Sequence, residues 1–344
     1  MDNVIGSKRI GEQSLRFGGK VFITGQAAIG GRREGEGPLA AGFDLLAPDA
    51  LWGEDSFEKA ERKLFLESAK KALETARMGV GDIDFLIGGD LLAQIISAGF
   101  SARELGIPFF GIYGACSSMA EALILGGMMV DGGFAENVLC ATSSHFGAAE
   151  RQYRYPLELG TPKPPTGQNT ATAAGAAVLS DRPERRGDPI LTHATVGGVV
   201  DLGISDASNM GAAMAPAAAE TILTHLEDRA VGPEHYDYIV TGDLGTFGSR
   251  LLLDLAADCG VDLSRNHYDC GAQLYRGLPK MGCGASGCGC GASVLCGHFL
   301  PRLRRGEIRR ILFVATGALH SPTSALQSES IPGIAHAVAI ERRD

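Results

Sequence analysis

The chain has 344 residues, 45% of them hydrophobic and 21% charged, with 48 glycines, 8 cysteines and a net charge of −9. That is a globular composition, long enough for two domains or for one large domain with two cores. The glycines are not periodic in threes, which excludes collagen. The acidic balance, with no basic stretch longer than LRRGEIRR, argues against nucleic acid as a partner.

The N-terminal MDNVIGSKRIGEQSLRF has no apolar core and no small-residue cleavage site, so no signal peptide is predicted. No window of about 20 residues is apolar enough to predict a membrane span. The cysteines are spread through an α/β pattern, which predicts reduced thiols in a cytosol-like compartment. The expected location is therefore cytoplasmic, or peripheral at a membrane.

In chain order, Phe57, Ala60, Leu64, Ala69, Leu73 and Ala76 share one face of a predicted helix. DFLIGGD follows as a buried strand ending at Asp90. GIYGACSSMAEALILGGMMVDGGF then places Cys116 just ahead of an apolar, glycine-spotted helix. VLCATSSH is a strand that runs out at His145. The polar, proline-rich stretch from Tyr153 to Thr170 is a long loop, with Arg151 and Arg154 at its start. GAAVLS is a strand, and the charged turn DRPERRGDP marks the boundary between two halves, 1–183 and 184–344. Beyond it come a helix from about Ala217 to Asp228, the strand DYIVTGD ending at Asp243, the cysteine-rich turn GCGASGCGCGA, and the strand LFVATGALH ending at His320.

The two halves repeat each other. DFLIGGD matches DYIVTGD at an offset of 153, which pairs Asp90 with Asp243. VLCATSSH matches LFVATGALH at 174, and the same offset pairs Cys116 with Cys290. Alternating strands and helices predict an α/β protein with mostly parallel, mixed sheets. Ligands in such sheets bind beyond the carboxyl ends of the strands. Asp90, Asp243, His145, His320 and the turns holding Cys116 and Cys290 are all expected there.

Each residue type has a plain and a functional reading. A cysteine at a helix N-terminus is a candidate nucleophile, because the helix dipole favours a thiolate; it is equally a small buried thiol. Asp90 and Asp243 either cap the next helix or line a cleft, where they would meet a protonated ring nitrogen, a histidine or calcium. His145 and His320 are ligand contacts or structural histidines. Cys283, Cys288 and Cys290 lack the spacing of a zinc site, so no metal site is predicted.

The two half-repeats, the cysteine before the first central helix and the segment GQNTATAAGAAVLS resemble the thiolase superfamily. GACSSMAEAL, LCATSSHFGAAERQYRYPLELG, VVDLGISDASNMGAAMAPAAA, YIVTGDLG, ASGCGC and ILFVATGALHSP are similar to its sporulation branch, the stage V sporulation protein AD family, over nearly the whole chain. The resemblance implies a layered thiolase-like fold of two pseudo-symmetric α/β halves that forms a homodimer. It also implies a protein of the developing spore that binds dipicolinic acid (pyridine-2,6-dicarboxylate) for uptake, with membrane channel proteins as partners at the spore inner membrane. No cofactor is implied, beyond calcium that could accompany the ligand. Glycine-rich turns at helix starts suit a dicarboxylate, and Arg151 could add bidentate pairing. Where condensing enzymes carry histidine and asparagine, this chain reads VTGDLGT and MGCGASGCGC, so the resemblance leans away from turnover. The alternative is an acyltransferase or condensing enzyme that works through a Cys116 thioester with His145.

Overall fold

Ten strands carry the architecture of this computed structural model, which describes residues 8–153 and 163–343. They are β1 (Phe22–Gly30), β2 (Phe85–Gly89), β3 (Phe109–Gly111), β4 (Asn137–Ser144) and β5 (Ala173–Ser180), then β6 (Pro189–Val200), β7 (Tyr238–Thr241), β8 (His267–Asp269), β9 (Arg310–Ala318) and β10 (Gly333–Arg342). The first five pair in the order β1-β5-β4-β2-β3 and the second five in the order β6-β10-β9-β7-β8. In both sets the first two ladders are antiparallel and the last two parallel. A single bridge, Ile190 to Phe22, joins β6 to β1 and makes the hydrogen-bonded path continuous.

Helices α1 (Phe57–Ala76) and α2 (Ile96–Leu105) cover one face of the first set, and α5 (Met210–Arg229) and α6 (Gly245–Asp258) flank the second. Between the sheets lie α3 (Ser118–Asp131) and α7 (Cys288–Val294), the latter continued by a π turn over Leu295–Phe299 and a last helical stretch over Leu300–Arg305. α3 packs on strands of both halves, and α7 reaches back onto β1, β4 and β5. The result is five layers, helix–sheet–helix–sheet–helix. α4 (Phe146–Tyr153) follows β4 directly.

The local sequence explains these elements. Strands buried on both faces need not alternate, and FITGQAAIG in β1 and AAGAAVLS in β5 are buried at every position. α1 begins at an N-cap, Ser56, whose side chain accepts from Lys59 N, and ends where Arg77 turns left-handed. Ala60, Leu64, Ala69, Leu73 and Ala76 of its expected stripe are buried, in a helix packed on β1, β4 and β5, while Phe57 at its start stays partly exposed. Layers this close need small residues: a Cβ on Gly25 would lie 2.3 Å from Ala72 O, and one on Gly175 would lie 2.4 Å from the carbonyl of Ala292. The second half's first helix is longer than the expected Ala217–Asp228. It begins at Met210, capped by Asn209, and passes through Pro216.

Candidate functional site

Cys116 lies in a 3-10 turn, Ala115–Ser117, that leads into α3. Ala115 just before it has a φ of 50°, a left-handed conformation unusual for a residue with a Cβ. Its carbonyl accepts from Ser118 Oγ at 2.7 Å and from the Cys288 thiol at 3.1 Å, which ties the turn to the start of α7. This strained turn presents Cys116 to a cavity of about 50 Å³ lined also by Leu91, Glu150, Tyr153, Gln168 and His320.

Asp243 lies directly behind the thiol. Its Oδ2 accepts from Gly287 N at 2.8 Å and its Oδ1 from Thr316 Oγ1 at 2.8 Å, and it hydrogen-bonds the Cys116 thiol. Burial raises the Asp243 carboxyl to about 7, against the pull of these donors. The thiol is pushed well above its usual range, first by burial and then by the charges of Asp243 and Cys288. The helix start therefore does not activate Cys116 as the sequence pattern suggested. A carboxylate at a thiol's back opposes the thiolate, where a histidine base would promote it.

Asp90 ends β2 as expected but turns into its own half. Its Oδ1 accepts from Leu92 N at 2.8 Å and its Oδ2 from Ala98 N at 2.7 Å, so it holds the entry to α2. It is fully buried, and burial raises its carboxyl to about 6. Next to it Glu61, from the buried face of α1, has its carboxyl pushed well above the usual range by burial and then by the charge of Asp90. Glu61 accepts from Ser143 Oγ at 3.2 Å.

The other expected residues divide. His320 lines the Cys116 cavity, its ring centre 5.5 Å from that of Tyr153. His145 does not: its Nε2 pairs with Ala50 O at 2.8 Å, and its Nδ1 accepts from Gly147 N at 3.0 Å. Its ring stacks on Phe57 at the wall of a second cleft of about 480 Å³, beside Glu34 and Tyr275. Cys290 is buried in the first turn of α7, its thiol 3.6 Å from Gly242 O. Arg151 pairs with Glu58 on the outer face of α4, away from the cavity. Arg154 lies outside the described residues. The cysteines of the GCGASGCGC turn point three ways, to Thr166 O, Ala115 O and Gly242 O.

Several cavity residues carried no signal in the sequence reading. Glu150, 4% exposed on α4, pairs with Lys163 Nζ at 2.6 Å. Tyr153 donates to Leu91 O at 2.8 Å and meets Tyr113 Oη at 3.0 Å. Gln168 donates its amide to Asp243 O at 2.6 Å and to Ala285 O at 2.9 Å. All three stand in or beside the segment read only as a loop. Its one usable signal was length, since long loops in compact domains are often functional.

Two sheets of mirrored order, a central helix from each half between them and a cysteine at the start of one define a thiolase-like protein. Solved structures of that class superpose on the chain. The 3-oxoacyl-[acyl-carrier-protein] synthase III of Aquifex aeolicus matches with a TM-score of 0.56 at 15% identity, covering 93% of this chain and 99% of its own. A variant of Xanthomonas campestris OleA matches at 0.62 and 15% identity, covering 96% and 100%. At that identity the likeness carries the fold alone. The family is given by sequence: the profile of Stage V sporulation protein AD (SpoVAD) matches residues 11–341. Stage V sporulation protein AD of Bacillus subtilis (strain 168) is 43% identical over 335 residues, 97% of this chain and 98% of that protein. The chain belongs to the stage V sporulation protein AD family.

Proposed function

We propose that this sporulation protein binds dipicolinic acid in the Cys116 cavity and hands it to membrane channel proteins for uptake into the developing spore, without turning it over. The observation that carries this reading is the pairing of Cys116 with Asp243, which suppresses the thiolate that a condensing enzyme must form. Family membership supports the setting. Among the described residues no helix is long and apolar enough to cross a membrane, so the reading assigns the crossing itself to partners. The cavity holds only a few waters at 50 Å³, so a pyridine ring enters only as lining side chains give way.

Calorimetric titration of the purified protein with dipicolinate, with and without calcium, tests the reading. Saturable binding that Cys116→Ala weakens is the expected result. Absence of binding under both conditions would remove the ligand assignment. Retention of Cys116 on a condensing-enzyme fold favours one other reading, an acyl carrier step at the thiol. A stoichiometric acyl adduct on Cys116 after incubation with acyl thioesters, seen by mass spectrometry, would establish it.

A further inference from the structure

Gln168 has its amide orientation fixed by chemistry. The group facing Asp243 O and Ala285 O meets two carbonyl oxygens, which only accept, so it must be the NH2. A flipped amide would set oxygen against oxygen at 2.6 and 2.9 Å. The backbone is anchored too, because Lys163 Nζ donates to Gln168 O at 2.9 Å. Oε1 is therefore held in place, buried, and meets no hydrogen-bond donor among the described residues. The side chain is 5% exposed and lines the Cys116 cavity. A buried acceptor that cannot turn raises the free energy of the empty site and rewards any ligand that brings it a donor.

The charges around it favour the same kind of ligand. Glu150 lines the same cavity, and Asp243 lies behind the thiol. Lys163 is already engaged by Glu150 at 2.6 Å, Gln168 O and Asn169 Oδ1 at 3.1 Å. A dianion with acceptors only would leave Oε1 unmatched and face the Glu150 carboxyl, the other titratable groups of the lining being Cys116, Tyr153 and His320.

We propose that the cavity takes its ligand in a form that offers a hydrogen-bond donor to Gln168 Oε1, which for pyridine-2,6-dicarboxylate is the singly protonated monoanion. The inference rests on the dipicolinate reading above. At neutral pH the free ligand is the dianion, so one proton moves from solvent to the ligand as it binds. It lies on the ring nitrogen, between the two carboxylates, and Gln168 selects that form. Gln168 is thus a specificity residue, chosen for its acceptor.

The test is calorimetry with dipicolinate at pH 6, 7 and 8, in EDTA, using buffer pairs of different ionisation enthalpy to count protons. Uptake of about one proton per ligand is expected, with affinity falling up to about tenfold per pH unit. Gln168→Met, checked for a wild-type melt, should weaken binding by roughly tenfold and abolish the uptake. Should that variant not fold, benzene-1,3-dicarboxylate on the wild-type protein serves in its place. It lacks the ring nitrogen and should bind at least tenfold more weakly. Binding that is independent of pH and takes up no proton overturns the inference while leaving the ligand reading intact. So does binding that needs calcium, whose water would then be the donor. Uptake that survives Gln168→Met and vanishes in Asp243→Asn puts the proton on the protein and also overturns it. No binding at any pH, either in EDTA or with calcium added in a parallel titration, removes the dipicolinate reading itself and the inference with it.

Discussion

Asp90 and Asp243 end corresponding strands in the two halves, yet they do different work. Asp90 spends both carboxylate oxygens on backbone N–H groups at the entry to α2. In the second half that duty falls to Asp269, which accepts from Leu244 N, Gly245 N and Ala272 N at 2.7–2.9 Å. Asp243 is thereby released to face Gly287, Thr316 and the Cys116 thiol. The cysteines diverge in the same way, Cys116 at the cavity and Cys290 in the core, as do His320 at the cavity and His145 at the second cleft. A repeat conserves positions in a fold; each half's neighbours then decide which copy is structural and which meets a ligand.

The largest effect expected from breaking this asymmetry is on stability at Asp90. Asp90→Ala strands two buried N–H groups and should cost about 2–4 kcal/mol, read as a lower midpoint in urea unfolding. A loss below ~0.5 kcal/mol would mean that Asp90 is not the anchor of α2.

Asp243→Asn should act on chemistry and on pH dependence. Removing the negative charge lowers the Cys116 thiol pKa, and a drop of one unit makes alkylation at pH 8 roughly tenfold faster, followed on the Cys116 peptide by mass spectrometry. An unchanged rate would show that burial alone controls the thiol. The carboxyl titrates at about 7 in the fold against an ordinary value of 3.8. The folded state therefore binds the extra proton between those values. Its contribution to stability is complete below pH 3.8 and is lost as the pH rises towards 7. Relative to wild type, Asp243→Asn should gain melting temperature between pH 5 and pH 8. A gap that stays constant across that range would argue against the raised carboxyl.

Cys290→Ala should cost about 1 kcal/mol through the small cavity left in the core, with dipicolinate titration unchanged. Weakened binding there would place the ligand nearer the second half than the cavity lining does. The smallest effect belongs to Arg151→Ala. Its pair with Glu58 is partly exposed, so the change should stay within ~0.5 kcal/mol and shrink in high salt. Altered dipicolinate affinity in this variant would contradict the placement of Arg151 outside the cavity.

Much of the architecture could be read from local pattern. The stripe from Phe57 to Ala76 is α1 residue for residue, and both runs ending in Gly-Asp are buried parallel strands. The cysteine turn is followed by its helix at Ser118. Periodicity and buried runs report what each segment does to its own face, and those signals survive in a one-dimensional record.

The site was less legible. Cys116, Asp243 and His320 were named from the repeat, but so were Asp90, Cys290 and His145, and nothing in the repeat separates the two groups; Arg151 was named only as a cation near the long loop. The separation depends on Asp269 taking over a cap and on α4 carrying Glu150 and Tyr153 to the cavity. It depends too on Gln168 reaching two carbonyls, 75 and 117 residues away in the chain. By itself the sequence determined the strands, the helices, their repetition and the family. Tertiary structure decided which of the paired residues meet, because burial, hydrogen-bond partners and the pKa values that follow arise from groups brought together across the layers.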